Sequence, residues 1–382
     1  MPQSKHIVFV AGEESGDQYA SEIIHALKLD MPNVKISGIG GHHMASEGAD
    51  MVYDLARYGV TGFTEVLRHL ITIKKAFKAI KQHLKKTKPD LLVLIDYPGF
   101  NLRLAEFAKQ VLGIRILYYI SPQIWAWKAG RIKTIKRNID HMVVILPFEK
   151  EIYKKAGVPV SFVGHPLVKR MDLISNDKDY RALLKLPKDK KLLAILPGSR
   201  TNEIQQHMPT IVKTLNALQP EIPNLHVVIP VAATLDSSII ENHLSKQPFS
   251  YSLINGQSNE VAKAADCVVV ASGTASLECA LLAKPMCIVY KASTLTYLIA
   301  SKVIRVRYLG LSNLLVNKML IPELLQYDFN SKELKTILQK SLLDKSYANQ
   351  MTSQLDDLKT SLSAHKADES LLGLVKKELG CS

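Results

Sequence analysis

The chain has 382 residues, 47% of them apolar and 22% charged, with a formal net charge of +14 at pH 7. Its length predicts two domains, and its composition excludes a largely disordered chain. The sequence contains neither a run of about 18 apolar residues, which a membrane-spanning helix needs, nor a secretory signal, so we expect a cytoplasmic protein.

The positive charge predicts an anionic partner, and nucleic acid, phospholipid and phosphorylated small molecules all satisfy that requirement. The four cysteines have neither disulfide-framework nor CxxC spacing and are expected to be reduced thiols. Charge and cysteine content alone do not choose among the three partners.

Short apolar runs alternate with helical segments along most of the chain, which is typical of parallel sheets covered by helices. The first half predicts strands at residues 6–11, 34–39, 91–96, 114–120, 141–146 and 160–163. The second half restarts the pattern at 192–196, 225–231, 251–254, 266–271 and 286–290. We therefore predict an α/β protein with two doubly wound, Rossmann-like domains and a cleft between them.

The predicted domains are residues 1–168 and 169–345, followed at 346–382 by a helical tail. Both domains are expected to contribute residues to the cleft. The tail is expected to pack across both domains or onto a partner subunit.

The first strand is followed by a turn with two glycines and several acidic residues. In open α/β sheets ligands bind beyond the carboxyl ends of the strands, so this turn can face a ligand. The candidate cleft residues here are Glu14, Ser15, Gly16 and Asp17. An ordinary strand-to-helix turn explains the same residues, and the absence of GxGxxG gives no support for a dinucleotide site.

Residues 63–84 carry apolar side chains at helical spacing, which predicts an amphipathic helix packed on the first sheet. Additional apolar residues widen this face, and lysines crowd the remainder of the helix. Apolar and basic surfaces together suit an anionic bilayer, so the predicted membrane-facing residues are Val66, Leu67, Leu70 and Ile71.

Asp96 follows the apolar run 91–95 and is the first candidate for a general base. A turn or N-cap aspartate is the alternative interpretation. Asn101, five residues later, is a second candidate cleft residue. Trp125 and Trp127 can stack on a sugar or enter a membrane interface, but packed core tryptophans are an equal alternative.

Two strand-to-helix turns in the second half suit phosphate, because free amides at a helix start bind anions. The first contains Gly198, Ser199 and Arg200, and the second contains Ser272, Gly273, Thr274 and Ser276. Glu278 can accept hydrogen bonds from a ribose, although a solvated glutamate is the usual explanation. Two such turns favour a nucleotide-sugar donor. No residues have the spacing of a metal-binding motif, and no carboxylate cluster resembles a DxD metal-diphosphate site, so we expect no metal and no cofactor.

An ordered set of motifs resembles the lipid-A-disaccharide synthase family over roughly residues 6–330. The first-half motifs are residues 10–17 (VAGEESGD), 38–41 (GIGG), 62–67 (GFTEVL), 95–101 (IDYPGFN) and 121–127 (SPQIWAW). The second-half motifs are 146–149 (LPFE), 164–166 (GHP), 196–200 (LPGSR), 272–278 (SGTASLE) and 322–326 (PELLQ). The sequence departs from the family pattern at His42, Gly99, Ser312, Val316 and Asn317.

The resemblance implies a GT-B fold and an inverting transfer from UDP-2,3-diacylglucosamine to 2,3-diacylglucosamine 1-phosphate (lipid X), with release of UDP. It implies catalytic roles for Asp96, as the base or as a group that positions the acceptor, and for Arg200, at the diphosphate. It implies nucleotide contacts for Glu278 and Asn313. The first domain is then expected to face the acceptor and the membrane, and the second to bind the UDP-sugar. The resemblance also implies peripheral contact with the inner face of the inner membrane, as a monomer or homodimer. The rival interpretations are another GT-B enzyme acting on a UDP-amino sugar, such as a UDP-N-acetylglucosamine 2-epimerase, and a basic nucleic-acid-binding protein. No recognised nucleic-acid module occurs, so no nucleic-acid partner is expected.

Overall fold

The computed structural model describes residues 4–56, 70–125, 130–174, 177–232, 235–245, 247–292, 307–363 and 367–381. The chain forms two compact units. The first contains Met1–Pro166 together with Ala364–Ser382, and the second contains Leu167–Ser363. Val66, Leu67 and Trp127 lie outside the described residues.

The first unit is built around a seven-stranded parallel sheet of order β3-β2-β1-β4-β5-β6-β7. Its strands are β1 (His6–Ala11), β2 (Lys35–Gly40), β3 (Asp50–Asp54), β4 (Leu91–Ile95), β5 (Arg115–Tyr119), β6 (His141–Val144) and β7 (Val160–Phe162). Its helices are α1 (Glu14–Asp30), α2 (His42–Ser46), α3 (Leu70–Thr87), α4 (Pro98–Leu112), α5 (Arg131–Asn138), α6 (Pro147–Lys155) and, near the carboxyl end of the chain, α16 (Leu371–Glu378).

The second unit contains a six-stranded parallel sheet of order β10-β9-β8-β11-β12-β13. Its strands are β8 (Lys191–Leu196), β9 (Leu225–Val231), β10 (Ser250–Asn255), β11 (Cys267–Ala271), β12 (Met286–Tyr290) and β13 (Glu323–Leu325). Its helices are α7 (Pro166–Asp172), α8 (Tyr180–Leu183), α9 (Thr201–Leu218), α10 (Ser238–Leu244), α11 (Ser258–Ala264), α12 (Thr274–Leu281), α13 (Leu311–Val316), α14 (Ser331–Leu343) and α15 (Lys345–Leu362).

The central strands are apolar throughout because helices cover both faces of each sheet. All five residues of β4 are fully buried. Helix α3 turns one side toward this sheet, where Ala76, Ile80 and Leu84 are fully buried and Ile73 and Phe77 pack against the core. The predicted amphipathic helix is therefore present over its described part, and the remaining predicted residues precede it.

The two ends of the predicted tail belong to different units. Helix α15 lies within the second unit, whereas α16 closes the first unit by packing Leu374 and Val375 into it. On α16, Glu378 pairs with Arg115 and with His141, whose Nδ1 is 3.4 Å from Glu378 Oε1. The first unit is therefore assembled from both ends of the sequence.

Among the described residues, no helix combines the length and the apolar character needed to cross a bilayer.

Candidate active site

The first candidate region lies where neighbouring strands of the first sheet lead in opposite directions. Strands β1 and β4 are paired. From β1 the chain continues to β2 on one side of this pair, and from β4 it continues to β5 on the opposite side. Such a switch point leaves a crevice beyond the strand ends. The two turns meet there, because a Cβ on Gly12 would lie 2.2 Å from Tyr97 Cδ1. Only glycine fits at position 12 with the turn in this arrangement.

Asp96 lies at the end of β4 in a strained conformation. Both Asp96 (φ 46°) and Tyr97 (φ 44°) occupy the left-handed region, which is costly for residues other than glycine. The carbonyl of Asp96 accepts hydrogen bonds from the Tyr118 hydroxyl (2.5 Å) and Asn101 Nδ2 (2.8 Å). These contacts fix the backbone of the turn.

The carboxyl group of Asp96 is suited to accepting a proton near neutral pH. Burial raises its pKa to about 6, and a hydrogen bond from the Tyr97 amide opposes part of that rise. A carboxylate whose pKa lies close to the working pH combines a large ionised fraction with useful basicity. The side chain is half-buried rather than enclosed.

Asn101 has a supporting position that differs from the expected contact with the acceptor. Its side chain is fully buried, and Nδ2 donates to the carbonyls of Ile95 (3.1 Å) and Val10 (3.4 Å) as well as Asp96. Asn101 therefore ties the ends of β1 and β4 together.

Asp17 also supports the backbone instead of facing the crevice as expected. It is 0% exposed, and its carboxylate accepts hydrogen bonds from the amides of Gly41 (2.7 Å), His43 (2.9 Å) and Met44 (3.2 Å). These are the free amides at the start of α2, so Asp17 caps that helix. The ligand atoms of Asp17, His43 and Glu14 lie within 4.8 Å of one another.

The other two predicted cleft residues of this turn differ in exposure. Ser15 and Glu14 are exposed, and Glu14 Oε1 lies 3.0 Å from His43 Nε2. Gly16 is buried, and a Cβ on it would lie 3.4 Å from Ala11 Cβ. Among the four predicted residues, Glu14 and Ser15 are therefore the ones whose side chains reach solvent.

A buried carboxyl that the sequence analysis did not single out lies near the same sheet edge. Glu149, in the first turn of α6, is 1% exposed, and its Oε1 accepts a hydrogen bond from Trp125 Nε1 at 3.0 Å. Burial is the largest cause of a rise in its pKa to about 7. Its only sequence signal was its place in the LPFE motif.

The second unit has its own switch point, where β8 and β11 are paired and lead outward to β9 and β12. In the turn after β8, Gly198 has φ 130°. Glu203 Oε2 accepts the amide of Ser199 (3.0 Å), and Oε1 pairs with Arg200 Nη1 (3.1 Å). An amide and a guanidinium thus converge on one anionic group, as they must to hold a phosphate.

The turn after β11 provides the second predicted phosphate site. Gly273 has φ 149°, is exposed, and leads into α12, which begins at Thr274. Ser276 is buried, and its hydroxyl donates to the Gly273 carbonyl at 2.7 Å. Because Leu196 is in register with Val270, the two turns lie at neighbouring strand ends. The structure therefore brings both predicted phosphate turns together.

Glu278 and Asn313, the remaining predicted nucleotide residues, have different environments. Glu278 is half-buried, and burial raises its pKa while the charge of Arg170 opposes the rise. Asn313 is fully buried, and Nδ2 donates to the Ile321 carbonyl (2.6 Å) and Glu323 Oε1 (2.7 Å). Asn313 therefore holds its own loop, which differs from the expected direct contact with a nucleotide.

His207, which the sequence did not single out, supports the turn after β8. It is fully buried in α9, with Nδ1 2.6 Å from the Pro197 carbonyl and Nε2 3.0 Å from the Lys291 amide. These partners require a neutral ring that donates from Nδ1 and accepts at Nε2. Burial lowers the pKa of His207 and favours that form. His207 thus joins the turn after β8 to the end of β12.

Replacing His207 with phenylalanine is expected to weaken UDP binding about tenfold, because the Pro197 carbonyl and Lys291 amide lose their buried partner. Isothermal titration calorimetry with UDP measures the change. His243→Phe, a histidine change on α10 of the same unit, serves as the control. An unchanged UDP affinity in His207→Phe would show that the turn does not depend on this link.

Comparison with known proteins decides the family. The family model described as lipid-A-disaccharide synthetase matches residues 7–374. The chain belongs to the lipid-A-disaccharide synthase family. A relative from Legionella pneumophila (strain Paris), lipid-A-disaccharide synthase 1, is 53% identical over 379 residues and covers 99% of both chains. Lipid-A-disaccharide synthase from Trichlorobacter lovleyi is 38% identical over 371 residues, which are 97% of each chain. The resemblance predicted from the ordered motifs is confirmed.

Solved structures of distant proteins confirm the predicted GT-B fold of this family member. The glycotransferase of kitacinnamycin has a TM-score of 0.64 at 15% identity, covering 99% of this chain and 100% of the other. A putative UDP-N-acetylglucosamine 2-epimerase from Listeria monocytogenes has a TM-score of 0.65 at 11% identity, covering 99% and 97%. At such identities the likeness concerns the fold alone. The similarity to a 2-epimerase is therefore not evidence for 2-epimerase activity in this chain.

Proposed function

We propose that this synthase condenses UDP-2,3-diacylglucosamine with lipid X to give lipid A disaccharide 1-phosphate and UDP. The observation that carries the proposal is the family match at 53% identity over nearly the whole chain. The acceptor hydroxyl oxygen bonds to the anomeric carbon of the donor as the bond from that carbon to the diphosphate breaks. The hydroxyl proton passes to Asp96, and the electron pair of the broken bond leaves with UDP.

The second unit supplies the donor site in this proposal. The amides around Gly198 and Ser199 and the guanidinium of Arg200 hold the diphosphate and stabilise the charge that develops on it. The start of α12 contributes a second set of donors from Ser272, Gly273, Thr274 and Ser276. Glu278, a half-buried carboxyl on the same helix, accepts hydrogen bonds from the ribose. The pairing of β8 with β11 supports this arrangement.

The first unit supplies the base. Asp96 is the acid of the turn after β4, and its raised pKa of about 6 leaves it mostly ionised at pH 7. Its backbone is held by buried partners, which favours a fixed orientation of the carboxylate. Preorganisation of this kind lowers the barrier because the reacting groups need little rearrangement.

A cavity of about 670 Å³ in the first unit suits the acylated acceptor. Helices α3 and α4 supply its apolar lining, and its cations are Lys74, Lys78, Lys81, Lys85 and Arg103. Tyr97, next to Asp96 in the turn, and Gly99, in the first turn of α4, also line it, so the cavity reaches the turn that carries Asp96. We infer that acyl chains contact the apolar side chains while the cations hold the 1-phosphate.

The start of α3 is the proposed contact with the inner face of the inner membrane. Leu70 is 40% exposed and Ile71 is 72% exposed, and basic residues follow them along the helix. Apolar side chains beside cations favour an anionic bilayer surface. The predicted membrane residues Val66 and Leu67 immediately precede this segment in the sequence.

The experiment that tests the function incubates the purified protein with UDP-2,3-diacylglucosamine and lipid X and measures disaccharide and UDP by mass spectrometry. Stoichiometric formation of both products is expected. A parallel incubation with UDP-N-acetylglucosamine tests the rival, and epimerised sugar without disaccharide in the first reaction would overturn the proposal.

Variants of two isoleucines on α3 test acceptor binding and membrane contact separately. Ile73 lines the cavity, whereas Ile71 is exposed outside it. Ile73→Ser is expected to raise the KM for lipid X in detergent roughly fivefold, with the KM for the UDP-sugar unchanged, because buried apolar contact is lost. Ile71→Ser should leave both constants unchanged and weaken binding to anionic liposomes in a flotation assay. If Ile71→Ser raised the KM for lipid X and Ile73→Ser weakened liposome binding, the assigned roles would be contradicted.

A further inference from the structure

A buried carboxyl lies along the sheet edge from the half-buried Asp96. Strands β4, β5 and β6 are consecutive neighbours, and Ile95 is in register with Tyr119, which is in register with Val143. Asp96 follows the first of these strands. Glu149, 1% exposed, lies in the first turn of α6, which follows the third strand. Both carboxyl groups therefore belong to the same edge of the sheet.

The contacts of Glu149 leave one oxygen incompletely satisfied. Oε1 accepts the Trp125 indole N–H at 3.0 Å, whereas Oε2 is buried and has no hydrogen bond of full geometry. The hydroxyl of Ser121 interacts with the carboxyl group but likewise lacks a partner at full hydrogen-bonding geometry. A buried carboxylate needs several strong donors, and this one has few. The surroundings therefore favour the protonated acid.

Asp96 and Tyr153 are titratable groups that interact with Glu149. Tyr118 interacts with both of them and with the cation Arg131, and burial keeps the Tyr118 hydroxyl protonated by raising its pKa. Tyr153 stays protonated because burial raises its pKa. Burial raises the pKa of Glu149 to about 7, and the negative charge of Asp96 adds to that rise, while the Trp125 indole and the nearby Ser121 hydroxyl oppose it. Asp96, with a pKa of about 6, therefore ionises first and Glu149 second.

We propose that Glu149 is a positioning residue for Asp96, a buried acid that keeps its proton while Asp96 is ionised and strengthens Asp96 as a base once it ionises. The reason is electrostatic. A second negative charge near Asp96 makes the acceptance of a proton by Asp96 more favourable. This inference rests on the proposed role of Asp96 as the base. It predicts two rising steps in the pH dependence of turnover, one for each carboxyl.

The kinetic test is the pH profile of kcat/KM for the full chain and for Glu149→Gln. Glutamine resembles the protonated acid, so the two profiles should coincide near pH 6. Above pH 7 the variant should lack the second step and turn over roughly threefold more slowly, as expected for a modest change in base strength. A rate reduced by the same factor at every pH would show a purely structural role and overturn the inference.

A direct titration separates this inference from the assignment of the base. In protein labelled with ¹³C at glutamate carboxyls, the Glu149 signal is identified by its loss in Glu149→Gln. Its midpoint near pH 7 should fall by at least about 0.5 unit in Asp96→Asn, because the neighbouring charge is gone. An unmoved midpoint overturns the inference. A moved midpoint together with coinciding rate profiles would instead count against Asp96 as the base.

Trp125→Phe provides a second variant that keeps the carboxyl. It removes the indole donor, which stabilises the ionised form of Glu149, so the second kinetic step should move to higher pH. A step that stays in place or moves to lower pH would contradict the proposal. This result remains informative if Glu149→Gln does not fold.

Discussion

Asp96→Asn is expected to lower kcat roughly 10³-fold, because the amide keeps the size of the carboxylate but cannot take the acceptor proton. UDP affinity should stay within about twofold of the wild-type value, since the proposed nucleotide residues are on the second unit. In the unmodified enzyme kcat/KM should rise with pH through about 6, where the Asp96 carboxyl ionises. UDP release measures turnover, and calorimetry measures binding.

The control for this change is Asp54→Asn, at the exposed end of β3 on the same sheet. It should retain nearly full activity. If Asp96→Asn kept more than about a tenth of the wild-type kcat, Asp96 would not be the base. Equal losses in both variants would indicate a general effect of removing carboxylates from this unit.

Arg200→Ala is expected to raise the Kd for UDP about 30-fold and to lower kcat/KM by roughly 10² to 10³, because a charged hydrogen bond to the diphosphate is lost. The loss in kcat/KM exceeds the loss in binding if the guanidinium also stabilises the charge that develops as UDP departs. Arg200→Lys should recover only part of either quantity, since lysine lacks the planar fork of donors. Calorimetry and initial rates provide the two measurements.

Glu203→Gln is the matched control for Arg200→Ala. Arg200 pairs with Glu203 at 3.1 Å, so the alanine variant removes this ion pair together with the proposed phosphate contact. The glutamine variant removes the charge of the pair and keeps the guanidinium. If it weakened UDP binding as much as Arg200→Ala does, the loss would come from the ion pair rather than from a contact with UDP.

The central strands could be predicted from sequence because burial on both faces requires nearly continuous apolar runs, as in Leu91–Ile95. The prediction missed β3 and β13. Asp50–Asp54 carries aspartates at both ends and is only partly buried, and Glu323–Leu325 has three residues. Both strands lie at a sheet edge, and neither has the long continuous apolar run of a strand buried on both faces.

The turns of the candidate site could also be predicted, since glycine and small residues after a buried strand indicate where ligands bind. The roles of individual side chains could not be predicted from the sequence. Asp17 and Asn101 bind the backbone of segments far away in sequence, at Gly41 and Val10. Glu149 was missed because its burial depends on packing against a neighbouring turn. Local sequence contains no information on which distant segments pack against a side chain.

Helix α16 has a consequence for synthesis of the chain on the ribosome. Residues of the first unit up to Pro166 emerge before the whole second unit, Leu167–Ser363, has been translated. At about 5–20 residues per second this interval is roughly 10–40 s. Until it ends, Arg115 and His141 have no Glu378 to bind, and the apolar site for Leu374 and Val375 stays open. The half of the enzyme that is made first is thus the last to be completed.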